Sequence, residues 1–304
     1  MPGVYPHWTT YVAGVVSLLQ RRGAHVPGCD LVIASDVPVG GGLSSSAALE
    51  VACALALARL ANVSLEGREL ADLCRAAEHE FAGVPCGIMD QYASVLAQPG
   101  CALWLDCRAR TWEYVPLPLC EHVVLIVNSG VHHELATSAY ARRQAECRAA
   151  VERLHTHDPA VESLRDVTPM LLADAAATLP ETLLRRARHV VTENARTCAA
   201  VAALRGGDLP AFGRRLDESH VSLRDDYAVS CRELDLLVEI VRAVPGALGA
   251  RLTGGGFGGC IVAIAERASI ATIEARLRSA YDATGRGPAT LLLSRPGSCA
   301  GIDR

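Results

Sequence analysis

Residues 38–47 (PVGGGLSSSA) constrain this chain more than any other stretch, because a glycine-rich turn is set there between an apolar run and a segment of helical period. Upstream, Asp30–Ser35 (DLVIAS) has the length and apolar character of a strand and is ended by Asp36 and Pro38. Downstream, the pattern AALEVACALALARLA following Ser46 predicts a helix with small residues on one side. Three glycines let the backbone come close to a ligand, and a helix start offers unpaired N–H groups carrying partial positive charge. Ser44, Ser45 and Ser46 add hydroxyls suited to phosphate oxygens or a metal ion. The arrangement reads as an anion site that needs no lysine. The competing reading is a serine N-cap after a glycine turn, and the strand–turn–helix context weighs against it.

That independence from lysine matters, since all 29 basic residues are Arg. The chain therefore has no phosphate loop of the G-x-x-x-x-G-K-[ST] type and no Schiff-base chemistry. Half of the 304 residues are apolar and a fifth are charged, enough to bury a core. A net charge of −4 argues against a nucleic-acid surface, which needs clustered positive charge. The 12 cysteines are scattered singly, with no C-x-x-C pair and no zinc spacing, so reduced thiols in the cytoplasm are expected. The first residues do not read as a signal peptide. The most apolar helix candidate, Ala47–Leu60, carries Glu50 and Arg59 and is too short to cross a bilayer, so no membrane partner is expected.

Along the chain, Ser64–Phe81 repeats Leu70, Leu73, Ala77 and Phe81 at helical spacing. Cys101–Leu105 and Thr111–Val115 predict a hairpin, and His122–Asn128 a buried strand. Helical patterns run from Ser138 to about His155 and from Leu183 to Arg242. Gly249–Glu266 reads as strand, glycine turn and strand, Ser269–Tyr281 as a helix, and ATLLLS at 289–294 as a last strand. No repeat of solenoid spacing occurs. The mixture lacks regular βαβ alternation, which predicts an α+β fold. Two domains are expected, 1–118 and 119–304, divided near the PLPLC segment at 116–120.

Two further stretches are candidates for chemistry. Thr253–Gly259 places five glycines within six residues, at an unfolded-chain entropy cost of up to about 1 kcal/mol each against Ala. Another chain segment or a ligand must come close to that backbone; Phe257 itself is read as ordinary packing. In Glu78–Gln91 (EHEFAGVPCGIMDQ), Glu78 ends a helix, Pro85 and Gly87 break it, and Asp90 opens the next. Alone, Asp90 would be a helix cap. Beside a phosphate site it becomes a candidate base for a substrate hydroxyl, and Glu78 a candidate Mg²⁺ ligand.

VPVGGGLSSSAALEVA (37–52), EHEFAGVPCGIMDQYAS (78–94) and GARLTGGGFGGCIVAI (249–264) resemble the motifs of the GHMP small-molecule kinases, and PCGIMDQ resembles that of their galactokinase family in particular. Residues 128–147 and 216–235 resemble the same family. The resemblance implies a two-domain GHMP kinase fold that transfers phosphate from ATP, with Mg²⁺, to the C1 hydroxyl of galactose. It implies that Gly40, Gly41, Gly42, Leu43, Ser44, Ser45, Ser46 and Ala47 wrap the ATP phosphates, and that Ser46 and Glu78 hold the metal. Asp90 would take or orient the sugar proton, Gly87 and Tyr140 would contact galactose, and a loop of Gly254, Gly255, Gly256, Gly258 and Gly259 would support the site.

The family's opening signature, G-R-x-N-L-x-G-E-H-x-D-Y, is absent here. The resemblance thus implies a start placed inside the family's first domain, with strands and sugar ligands missing, a sheet edge open and apolar core uncovered. A start codon set too late is the expected cause; a fragment or a non-catalytic chain are the alternatives. A galactokinase-like sugar sensor, or a kinase for a related sugar such as N-acetylgalactosamine, are the competing functions. Cys231 stands where the family usually has Pro, with little expected effect. His132, His133 and His220 could line a cleft, although lone histidines are more often satisfied core or surface residues.

Overall fold

The computed structural model describes residues 7–131, 136–285 and 288–302; His132 and His133 lie outside them. The fold is mixed α and β. The chain forms two compact units, one up to Leu117 joined by the segment from Arg295 on, the other Pro118–Ser294. The tail is tied to the first unit: the Ala300 N–H donates to the Ser94 carbonyl at 2.8 Å. A single division near residue 118 was expected from the sequence, and the return of the tail was not.

The first unit is built on helices α1 (Thr9–Arg21), α2 (Ser45–Leu60), α3 (Gly67–Ala77) and α4 (Met89–Leu96), with a two-stranded antiparallel hairpin of β1 (Cys101–Asp106) and β2 (Thr111–Pro116). Small residues on α2 allow close packing: Ala47, Val51, Ala54, Leu57 and Ala58 are buried at helical spacing. On α3 the buried set is Leu70, Ala71, Leu73, Cys74 and Ala77. These faces meet Val15 and Leu19 of α1 and Tyr92, Val95 and Leu96 of α4 in one core. α1, which the sequence reading did not pick out, passes close to α3, and a Cβ on Gly14 would stand 3.0 Å from the Ala77 Cβ. The helix expected from Ser64 begins only at Gly67, because Glu66 is extended.

The strand expected at Asp30–Ser35 does not form. Its residues are irregular and exposed, Val32 completely so. A strand is stabilised by a neighbour that takes up its N–H and C=O groups. No described strand lies beside this run. Apolar composition alone does not supply that partner.

In the second unit, β3 (His122–Asn128) is paired antiparallel with β5 (Cys260–Glu266) and β6 (Thr290–Ser294), and β4 (Ala247–Leu252) with β5, giving the order β4-β5-β3-β6. Val123, Leu125 and Val127 alternate inward along β3, as period two requires. The helices of this unit are α5 (Ala136–His157), α6 (Pro169–Asp174), α7 (Glu181–Arg205), α8 (Leu209–Ser222), α9 (Arg232–Arg242) and α10 (Ile270–Arg276). α9 packs against the sheet through Leu234, Leu237, Val238 and Val241. α8 crosses β4 backbone to backbone: a Cβ on Gly249 would stand 2.0 Å from the Gly213 carbonyl oxygen.

Candidate active site

The first unit brings together three of the elements that the sequence singled out. The glycine turn leads into α2 with Gly40 and Gly42 at φ of 71° and Ser44 left-handed at φ 59°. Ser44 occupies the N-cap position, yet its side chain makes no cap hydrogen bond. The first-turn N–H groups of α2 therefore lack a side-chain acceptor, which is the arrangement an anion requires and a simple capping serine would not leave.

Ser46, in the first turn of that helix, donates to Glu78 Oε1 at 3.0 Å. Glu78 sits where α3 widens into a π turn over Glu78–Ala82, stopped by Gly83 at φ 70°. The turn swings the Glu78 side chain inward, and it is buried. Next along the chain, His79 Nε2 lies 2.7 Å from the Cys86 carbonyl oxygen, bracing the Pro85–Gly87 segment. Asp90 is in the first turn of α4, half-buried, and among the described residues no hydrogen bond or ion pair engages its carboxylate. It does not cap its helix. At Gly87 a Cβ would meet nothing within 4 Å, so open space adjoins that backbone.

Two residues of this cluster escaped the sequence reading. Gln91 Nε2 donates to Glu78 Oε2 at 2.7 Å and to Glu50 Oε2 at 3.2 Å. Glu50 and Gln91 are fully buried. Burial first, and the neighbouring Glu78 carboxylate second, push Glu50 up to about 8 against the opposing pull of its Gln91 hydrogen bond. Burial and then Glu78 push the Cys86 thiol up to about 12, so it stays protonated and is no nucleophile. The Tyr11 hydroxyl is shifted upward as well, by burial and then by Glu78 and Glu50. The available signal for Glu50 was its position: it is the only acid in a mostly apolar helix, four residues after Ser46 and hence on the same face.

The donors at Ser46 and Glu78 are hard oxygens, and among the described residues no group of three or more His, Cys, Asp or Glu could cage a metal. One carboxylate and one hydroxyl suit Mg²⁺, which is commonly held by few protein ligands and completed by phosphates and water.

In the second unit, Tyr140 lies on α5 beside the glycine loop, and a Cβ on Gly255 would stand 3.6 Å from its ring. The loop's close contact is with its own chain. Phe257 N–H donates to the Val229 carbonyl at 2.7 Å, and a Cβ on Gly256 would stand 2.2 Å from that oxygen. Gly259 O accepts from the Ser129 N–H at 2.9 Å and the Ser129 hydroxyl at 2.7 Å. Phe257 packs against the sheet core. His220 is a core residue: its Nδ1 accepts from the Leu252 N–H at 3.3 Å and its Nε2 lies 3.3 Å from Asp235. Cys231 is half-buried at the start of α9 and also packs against the core.

Residues 10–98 match the GHMP kinases N terminal domain and residues 200–283 the GHMP kinases C terminal domain. With the glycine turn, the Ser46–Glu78 contact and these matches together, the chain belongs to the GHMP kinases, a family that implies ATP as phosphoryl donor. A galactokinase of Roseiflexus sp. (strain RS-1) is 48% identical over 289 residues, covering 95% of this chain and 73% of that protein. The Homo sapiens galactokinase is 47% identical over 294 residues, covering 97% and 72%. The crystal structure of Lactococcus lactis galactokinase complexed with galactose matches at a TM-score of 0.91 and 34% identity, covering 98% of this chain and 77% of that one. Within the GHMP kinases, the chain is a member of the galactokinase family.

Proposed function

We propose that this chain phosphorylates galactose at its C1 hydroxyl with ATP, and that Ser46, Glu78 and Asp90 carry the reaction. The observation that supports this most directly is the Ser46–Glu78 contact of 3.0 Å at the uncapped start of α2. The N–H groups of the Gly40–Ala47 segment hold phosphate oxygens in the field of the helix start. Ser46 and Glu78 would hold Mg²⁺, which when bound would offset charge on the phosphate oxygens. Asp90 accepts or orients the C1 hydroxyl proton as that oxygen bonds to the γ-phosphorus, while the bond to the bridging oxygen breaks and ADP leaves. Gly87 leaves room for the sugar next to Asp90. The protein's contribution is chiefly positioning and electrostatic.

Galactose rather than N-acetylgalactosamine, and turnover rather than sensing, are favoured by the three relatives named above, each a galactokinase. Among the described residues no helix is long and apolar enough to cross a membrane. A cytoplasmic setting agrees with the scattered spacing of the twelve cysteines. The test is product identity: ³¹P NMR of a reaction with ATP, Mg²⁺ and galactose should show a phosphate coupled to the anomeric proton. Phosphate on another hydroxyl, or none on the sugar, would overturn the assignment.

A further inference from the structure

The three residues proposed to carry the reaction lie on different elements: Ser46 on α2, Glu78 in the π turn after α3, and Asp90 at the start of α4. Separate elements shift independently unless something couples them, and reactive groups misplaced by about 1 Å lose about 10²-fold in rate. One side chain touches the problem from the middle. Gln91, the residue after Asp90, uses its amide nitrogen for both carboxyl groups, Glu78 on the π turn at 2.7 Å and Glu50 on α2 at 3.2 Å. Ser46 to Glu78 at 3.0 Å and the one-turn spacing of Ser46 and Glu50 along α2 close the ring.

The amide's orientation follows from its partners. Reversed, it would set a carbonyl oxygen against two carboxyl groups, whereas as placed its donors are both used. The cost is visible elsewhere: Gln91 Oε1 and Glu50 Oε1 are buried without a hydrogen-bond partner. Leaving buried acceptors unmet costs about 1–3 kcal/mol each, which packing alone would favour removing by apolar residues at both positions. The α2 and α4 surfaces around them are apolar, from Val51, Ala54, Tyr92 and Val95. A polar pair kept in such surroundings points to a positional task.

We propose that Gln91 is a positioning residue for the phosphoryl-transfer site: anchored on Glu50, its amide fixes the Glu78 carboxylate toward Ser46 and locks the Asp90-bearing end of α4 to both. This rests on the reading of Glu78 as a metal ligand. Partners that orient a ligand typically change metal affinity by about 10- to 100-fold when removed.

The test is Mn²⁺ binding, followed by electron paramagnetic resonance, to the full chain with a non-hydrolysable ATP analogue. Gln91→Met, near in shape and without donors, should raise the Mn²⁺ dissociation constant by about 10-fold or more. Glu50→Gln, whose carbonyl can still accept from Gln91, should stay within about threefold of wild type, and Glu50→Ala should weaken binding. Val51→Ala serves as the purely structural control; it should lower thermal stability and leave the Mn²⁺ constant unmoved. An unchanged constant in Gln91→Met, with Glu78→Gln weakened, overturns the positioning role. If Gln91→Met does not fold, Glu50→Ala is read on the same scale, and an unchanged constant there overturns it equally. An unchanged constant in Glu78→Gln overturns instead the metal assignment beneath it.

Discussion

Glu50 makes the structure testable through stability alone, before any substrate is added. It is a fully buried carboxyl beside a second carboxylate, held up to about 8 against an ordinary 4.5, chiefly by burial. The sign follows from proton counting. Between 4.5 and about 8 the unfolded chain has released this proton and the folded chain has kept it, so the folded state binds more protons and stability falls as pH rises. The slope for one proton is about −1.4 kcal/mol per pH unit, and across this window the loss reaches about 5 kcal/mol at most. Above about pH 8 both states are ionised at this position and its contribution levels off. Glu50→Gln replaces the acid with a neutral group of the same shape, still able to accept from Gln91 through its carbonyl. The variant should therefore lose this slope: urea unfolding at pH 5.5, 6.5 and 7.5 should give a wild-type stability that declines by about 1 kcal/mol per unit more steeply than the variant's. The gain of Glu50→Gln over wild type should be largest at the alkaline end. Parallel curves would refute the reasoning, because they would mean that Glu50 is as ionised in the folded chain as in the unfolded one.

Other outcomes follow from the same geometry. Glu78→Gln should raise the Mg²⁺ concentration at half-maximal rate by about tenfold or more, and an unchanged Mg²⁺ titration would remove it as a ligand. Gly249→Ala should destabilise the chain by about 3 kcal/mol or more in urea unfolding, since its Cβ would stand 2.0 Å from the Gly213 oxygen and α8 would have to leave β4. Gly87→Ala meets no atom within 4 Å, so stability should stay within about 0.5 kcal/mol while the KM for galactose rises; an unchanged KM would take Gly87 out of the sugar site.

The legibility of these features in the sequence differs for physical reasons. The helix after Ser46, the hairpin at 101–116 and the strand at 122–128 were readable because each has a period set by its own residues. The strand expected at Asp30–Ser35 was misread because a strand depends on a neighbour, and a run such as Leu31–Ile33 carries no information about whether one is present. α1 was legible but overlooked: Val12, Val15, Val16 and Leu19 recur at helical spacing, whereas the close approach at Gly14 appears only once α3 is beside it. Ser46, Glu78 and Asp90 could be singled out as candidates through residue type and motif, and the structure sets Ser46 against Glu78. Gln91 and Glu50 were not, because a glutamine after an aspartate and a lone glutamate in an apolar helix acquire meaning only from the 2.7 and 3.2 Å contacts that join them. The glycines at 254–259 announced a close approach, but only the structure identified Val229 as what approaches Gly256.

The central claim, that Asp90 serves a phosphoryl transfer to galactose, is tested most directly by galactose-dependent ADP release from ATP and Mg²⁺, comparing the chain with Asp90→Asn. The substitution keeps the shape at the start of α4 and removes the base, so turnover should fall by about 10²- to 10⁴-fold with the fold intact. Turnover in Asp90→Asn at the wild-type rate would contradict the account.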